Sequence, residues 1–158
     1  MGHYTVYTAG HGELDWDGFT RLLGPYSVEI VVDVRSNPFT TNAPDFNRDR
    51  VEYLARRDGM EYLWLGSKLG ALTENGRVDY IAREREARYR SGIQELLDLA
   101  HDRTVCVLGG ASDPERSHRH LLIAQTLLRQ HVEVRHILHG GAALAAQADL
   151  FHVGPGVS

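Results

Sequence analysis

A chain of 158 residues, 42% apolar and 24% charged, fits one globular unit with one core. At this length folding buries roughly 70% of the unfolded surface, so covalent staples are not needed, and the one cysteine, Cys106, excludes an internal disulfide. The formal net charge of -4 argues against a broad electrostatic grip on nucleic acid or anionic lipid.

A lone cysteine suits a reducing compartment. Met1-Gly2-His3-Tyr4 lacks a basic segment followed by an apolar run, which predicts no signal peptide. No apolar stretch approaches the roughly 20 residues of a membrane helix, so the expected location is the cytoplasm, with no membrane partner.

Tyr4 to Thr8 is β-branched and aromatic and reads as a first strand ending toward Gly10. Asp15 then caps a short amphipathic helix carrying Trp16, Phe19, Leu22 and Leu23, closed by Gly24-Pro25. Val28 to Val34 is almost continuous Val and Ile, the pattern of a strand buried on both faces of a parallel sheet. The prolines, asparagines and hydroxyl residues of Ser36 to Pro44 predict a loop. Asn47 is expected to cap a helix to about Arg57, with Val51, Tyr53 and Leu54 inward, ended by Gly59. Met60 to Leu65 reads as a third strand, and Gly66 to Gly76 as a loop centred on Lys68.

Val78 to Ala100 is expected to be helical in two pieces, broken near Ser91-Gly92. Thr104 to Leu108 is a strand, with Cys106 in its packing. Gly109 to Asp113 is a tight loop before a helix with Asp113 as cap and Pro114 at its first position. Val132 to Leu138 is the last strand, and Ala142 to Leu150 is expected to form a final helix. Alternating strands and helices predict one three-layer α/β domain over residues 1–158. Its core runs from about 4 to 138, followed by a C-terminal helix and tail over 140–158. It is built on a mostly parallel sheet of about five strands covered by helices on both faces.

In an open parallel sheet, ligands bind outside the carboxyl ends of the strands. The polar residues of this sequence gather there. His11 follows the first strand, Asp33 and Arg35 end the second, and Gly109, Gly110 and Ser112 follow the fourth, just before Ser117, His118 and Arg119. The glycine loop before a helix start reads either as an anion cradle or as a plain tight turn. Asp33 and Arg35, two apart, share a strand face. They read as an oriented guanidinium fork for phosphate or carboxylate, or as a structural ion pair. His11 and His118 are candidate proton carriers, with Asp33 orienting an arginine or a histidine. Lys68 is a further anion ligand in a loop expected near the same edge. The remaining histidines lack metal-ligand spacing, so no metal is expected. A set of His11, Asp33 and His136 is the one paper alternative. No cofactor is implied. Arg83, Arg85, Arg88 and Arg90, interleaved with Glu84 and Glu86, read as a solvated, ion-paired helix face.

Six stretches carry a family resemblance. Tyr7-Thr8-Ala9-Gly10-His11-Gly12 is similar to YTIGHS, and Val32-Asp33-Val34-Arg35-Ser36-Asn37-Pro38 to VDVRxxP. Asp45-Phe46-Asn47 matches xFN, and Leu65-Gly66-Ser67-Lys68-Leu69-Gly70 is similar to LGxxLGG. Asp113-Pro114-Glu115-Arg116-Ser117-His118-Arg119 is similar to DPxxCHR, and Val134-Arg135-His136-Ile137 to VxHI. In order and spacing the chain resembles the family of the domain of unknown function numbered 488, from roughly Tyr4 to Leu138. The resemblance implies the α/β fold and marks His11, Asp33, Arg35, Pro38, Lys68, His118 and Arg119 as motif positions; it implies no settled activity. Where the family pattern reads CAExxPxxCHR, this chain has Gly109, Ala111 and Ser117 in place of Cys, Glu and Cys. A thiol nucleophile or Cys-bound metal at those positions is therefore ruled out. Val32-Asp33-Val34-Arg35 also resembles rhodanese domains, but the Cys-bearing active-site loop of those proteins has no counterpart here.

Three functions compete. The first is an anion-binding domain for a phosphate- or carboxylate-bearing small molecule, nucleotides included, with His-assisted hydrolytic or transfer chemistry. The second is a non-catalytic binding or partner module that lacks the family's Cys and Glu chemistry. The third is nucleic-acid processing through the arginines of residues 83–90, which the net charge disfavours.

Overall fold

The computed structural model describes residues 4–149. The six strands are β1 (Thr5–Gly10), β2 (Ile30–Asp33), β3 (Glu61–Trp64), β4 (Val105–Gly109), β5 (Glu133–Ile137) and β6 (Ala143–Ala145). They form one sheet in the order β3-β2-β4-β1-β5-β6. The first five are parallel, and β6 pairs antiparallel with β5. The α-helices are α1 (Trp16–Leu23), α2 (Arg48–Arg57), α3 (Gly66–Leu69), α4 (Tyr80–Arg85), α5 (Ala87–Asp102) and α6 (Gln125–Arg129).

Side chains on a strand alternate between faces, and the central strands are apolar on both. Val6, Ile30, Val32, Val105, Val107 and Val134 pack with Leu96 of α5 and Leu127 of α6. Ala9, Val31, Cys106, Leu108 and Ile137 pack on the opposite side with Trp16 and Phe19 of α1 and Leu54 of α2. The result is the expected three-layer α/β arrangement, and Cys106 is fully buried packing within it.

Five expectations change. The stretch from Gly66, expected to be a loop around Lys68, opens with the short helix α3. The segment expected to be helical from Ala142 instead makes β6, which completes the edge beside β5; residues 146–149 are not helical either, and Leu150 lies outside the described residues. The break in the long helical stretch falls at Glu86, not at Ser91-Gly92. Gly92 sits inside α5 because a Cβ there would lie 2.7 Å from Lys68 Cβ and 2.8 Å from Leu69 Cδ2, so the glycine lets α3 pack against α5. Asn47 stands at the α2 N-cap position but accepts from the Thr40 N–H (2.6 Å) rather than from its own helix. Tyr53 points outward, 59% exposed.

Candidate functional site at the carboxyl edge of the sheet

β2 and β4 are neighbours, yet the chain leaves β2 toward β3 and β4 toward β5. That divergence is a topological switch point, where an open α/β sheet leaves a crevice beyond its strand ends. His11, Asp33, Arg35, the Gly109–Asp113 loop, His118 and Arg119 all lie at this edge. Strand alternation divides them between the two faces.

On the α1/α2 side, Asp33 is fully buried and holds Arg35 in a two-point grip, from Nε to Oδ1 (2.9 Å) and from Nη2 to Oδ2 (2.7 Å). The Arg35 N–H and the Tyr62 hydroxyl also donate to Asp33, at 3.1 and 2.5 Å. Both carboxylate oxygens are thus engaged by donors within the chain. Burial and the adjacent Asp33 charge push the Tyr62 phenol up. Arg35 Nη2 also donates to Phe46 O (2.7 Å), and Nη1 lies 3.3 Å from His11 Nε2. A guanidinium only donates and a carbonyl only accepts. His11 therefore carries its hydrogen on Nδ1, toward Gly12 O (2.8 Å), and turns a lone pair to Arg35. Its ring stacks on Phe46 at 4.8 Å, and burial lowers its pKa.

On the α5/α6 side, Arg119 opens a six-residue π-helical segment, Arg119–Ala124, that runs into α6. Its N–H is capped by Ser117 Oγ (3.1 Å). Its guanidinium is completely buried, yet it meets only neutral oxygens. Nη1 donates to Thr8 Oγ1 (2.6 Å) and Nη2 to Ala111 O (2.7 Å), while Nε has no partner among the described residues. Burial lowers its pKa to about 10, and the carboxylate acting on it, Asp113, does so only through space. Arg119 thus keeps its charge at neutral pH. The chain makes room for it with two glycines. A Cβ at Gly109 would lie 2.7 Å from Arg119 Cδ, and one at Gly10 would lie 1.7 Å from Ala111 O.

His118 turns the other way from Arg119, as adjacent helical residues do. Its Nε2 bonds Val34 O (3.1 Å), and burial pushes it down to about 4. Lys68 lies on α3, where its Nζ pairs with Glu95 (3.0 Å) on the α5 side of the molecule. Ser112 is exposed, 3.3 Å from where a Gly12 Cβ would stand. No hydrogen bond within the described residues starts from the N–H groups of Ala111, Ser112 or Asp113, all three exposed.

Sequence reasoning missed one part of this edge. The Thr8 hydroxyl, receiving from Arg119, sits 2.6 Å from His136 Nδ1, and His136 Nε2 lies 3.1 Å from His120 Nδ1. The signal was present in register, because Thr8 and His136 are direct partners across β1 and β5. His136 is thereby on the opposite face from Asp33 and His11. No group of three or more His, Cys, Asp or Glu side chains among the described residues is placed to hold a metal ion. No helix among them is long and apolar enough to cross a membrane.

The model of the domain of unknown function DUF488 matches residues 15–126, well over half of the chain and including the Asp33–Arg35 pair, the glycine loop and Arg119. The chain belongs to that family. No curated protein and no solved structure matches it. As a DUF488 member it carries a switch-point edge in which one arginine, Arg35, is neutralised by Asp33 and another, Arg119, is not.

Proposed function

We propose that this DUF488 domain binds a small anion, phosphate- or carboxylate-bearing, at the switch-point edge over the Gly109–Asp113 loop, and that binding rather than acid–base catalysis is its task. The observation that carries this reading is Arg119, a buried cation with no carboxylate in contact with it among the described residues. Burying an unpaired charge costs several kcal/mol, a cost that an arriving anion offsets. The anion meets the N–H groups of the exposed residues Ala111, Ser112 and Asp113, which donate to nothing among the described residues, while Arg119 lies beneath and holds the loop through Ala111 O. Binding is favoured over catalysis because Asp33, His11 and His118 each have their reactive atoms committed to neighbours within the chain. The nucleic-acid reading weakens for a related reason. Arg83 is buried and donates to Gly70 O, Ser67 O and Lys68 O, so it braces α3 instead of facing solvent.

Titration calorimetry with inorganic phosphate, comparing the parent with Arg119→Met, tests the proposal. Methionine keeps the packing and removes the charge. The expected result is at least about tenfold weaker binding together with a Tm equal to or above the parent's, because an uncompensated buried charge is gone. Equal affinity, or loss of binding explained by a collapsed Tm, sinks the idea.

A further inference from the structure

Three chain segments meet at the edge beside Arg119. Two are zipped together beyond the ends of β1 and β4, where the His11 N–H donates to Gly109 O (3.0 Å) and the Gly12 N–H to Gly110 O (2.8 Å). The third is the turn from β5 to β6, closed by the Leu138 N–H on Ala142 O (2.8 Å) and pinned by the Tyr26 hydroxyl on Gly141 O (2.7 Å). That turn carries His139. Gly10 O can only accept, so His139 donates to it from Nε2 (2.7 Å). Arg119 Nη2 approaches the same glycine from the Cβ direction, 2.8 Å from where a Cβ would stand. Gly12 lies between the ring and the glycine loop. A Cβ there would stand 3.0 Å from His139 Cε1 and 3.3 Å from Ser112 Cβ, and its φ of 52° is one that glycine adopts without strain. The imidazole thus stands beside the loop whose N–H groups receive the anion. His139 is exposed, and Nδ1 is the ring nitrogen left to gain a proton.

We propose that His139 is the second cation of this anion site: it takes up a proton on Nδ1 as the ligand arrives, and the added charge favours dianions such as phosphate monoesters over carboxylates. The inference rests on the anion-binding reading above. The proton comes from solvent and forms an N–H bond at Nδ1. The Nε2 bond to Gly10 O is kept, so the ring stays in place in both charge states. The β1 end brings His11 near it; burial first, and the His139 charge among the lesser causes, lower the His11 pKa. The loop brings Asp113, whose carboxylate accepts from the Glu115 N–H (3.0 Å) and faces Arg116 (3.7 Å), and Arg119 lies beneath. Arg119 opposes a charge on His139 and Asp113 favours one; a bound anion adds to the favourable side. Its pull on the imidazolium grows with its own charge, so a dianion draws the proton more strongly than a monoanion. Linkage is reciprocal, so protons must also strengthen the binding of the anion.

Sulfate and acetate are suitable probes, because each keeps its charge between about pH 8 and 6, within the span where a histidine changes its own. Calorimetry of the full chain with each sodium salt, in buffers of different ionisation enthalpy, reads the protons directly. The expected result is proton uptake with sulfate, its affinity rising toward the limit of about tenfold per pH unit for one coupled proton, and a shallower rise with acetate. In His139→Gln, whose amide keeps a donor for Gly10 O, the uptake disappears and the advantage at the lower pH with it. His139→Lys, a fixed cation, binds sulfate without that slope. Uptake that persists in both variants, or sulfate binding that His139→Gln weakens equally at both ends of the range, overturns the proposal and leaves the anion site standing. Acetate affinity that rises as steeply as sulfate affinity overturns the preference for dianions. No sulfate binding by the parent overturns the anion site as well.

Discussion

Gly10 and Gly109 owe their identity to one side chain. Arg119 runs across the ends of β1 and β4, and either glycine, given a Cβ, would strike it or the carbonyl it holds. Gly10→Ala places a carbon 1.7 Å from Ala111 O, a backbone atom that cannot swing aside. Overpacking of this kind costs about 1–3 kcal/mol, so chemical denaturation should show a loss of that size and weaker phosphate binding with it. At Gly109 the space that a Cβ would need is taken by the aliphatic part of Arg119.

The half-buried His118 and the buried His136 give a pH dependence with a definite sign. His118 and His136 ordinarily titrate at 6.5 but are pushed down to about 4 and about 3, chiefly by burial. Their folded pKa lies below the unfolded one, so the unfolded chain takes up protons first. The stability tied to their neutral forms is complete above pH 6.5 and is lost as pH falls toward those lower values. Each group contributes a slope of up to about 1.4 kcal/mol per pH unit. The Tm should therefore fall steadily between pH 6.5 and 4, and less steeply in His118→Gln. A flat profile over that window contradicts the assignment.

At the scale of elements, Arg83 shows how a side chain that looks like surface charge becomes a brace. It joins the α4 end to three carbonyls of the α3 segment and to Glu86 (2.7 Å), all from a 2% exposed position. Arg83→Met should speed hydrogen exchange at residues 66–70 while the β-sheet amides stay protected; unchanged exchange there contradicts the brace. The interleaved Arg and Glu pattern read as a solvated face because charge alternation says nothing of which residue turns inward. The helix break was misplaced for a similar reason. Glycine in a helix costs about 1 kcal/mol against alanine, so Gly92 reads as a breaker, whereas its role is to admit α3. The final helix failed because the Ala-rich run from Ala142 has helical propensity, and pairing with β5 outweighed it.

For the whole molecule, the layered sheet was legible because five parallel strands leave a strong mark: apolar runs, each followed by turn residues and a helical period. Where the polar residues gather was also legible, since the end of a strand is an address in sequence as well as in space. Which residues meet was not. Asp33 and Arg35 were readable as a pair because strand alternation puts residues two apart on one face. The split between the Arg35 and Arg119 sides and the link from Thr8 to His136 depend on strand order and register, which single strands do not encode. The net charge of -4 likewise hid a buried positive centre, because a sum over the chain ignores position.

An anion bound at the switch-point edge above Arg119 is detected by a backbone amide NMR titration of the full chain with inorganic phosphate. Saturable shifts concentrated at residues 109–113 and 10–12, abolished in Arg119→Met, are the expected result. Shifts that are absent, that fail to saturate, or that map to the exposed arginines of residues 85–90 would contradict it.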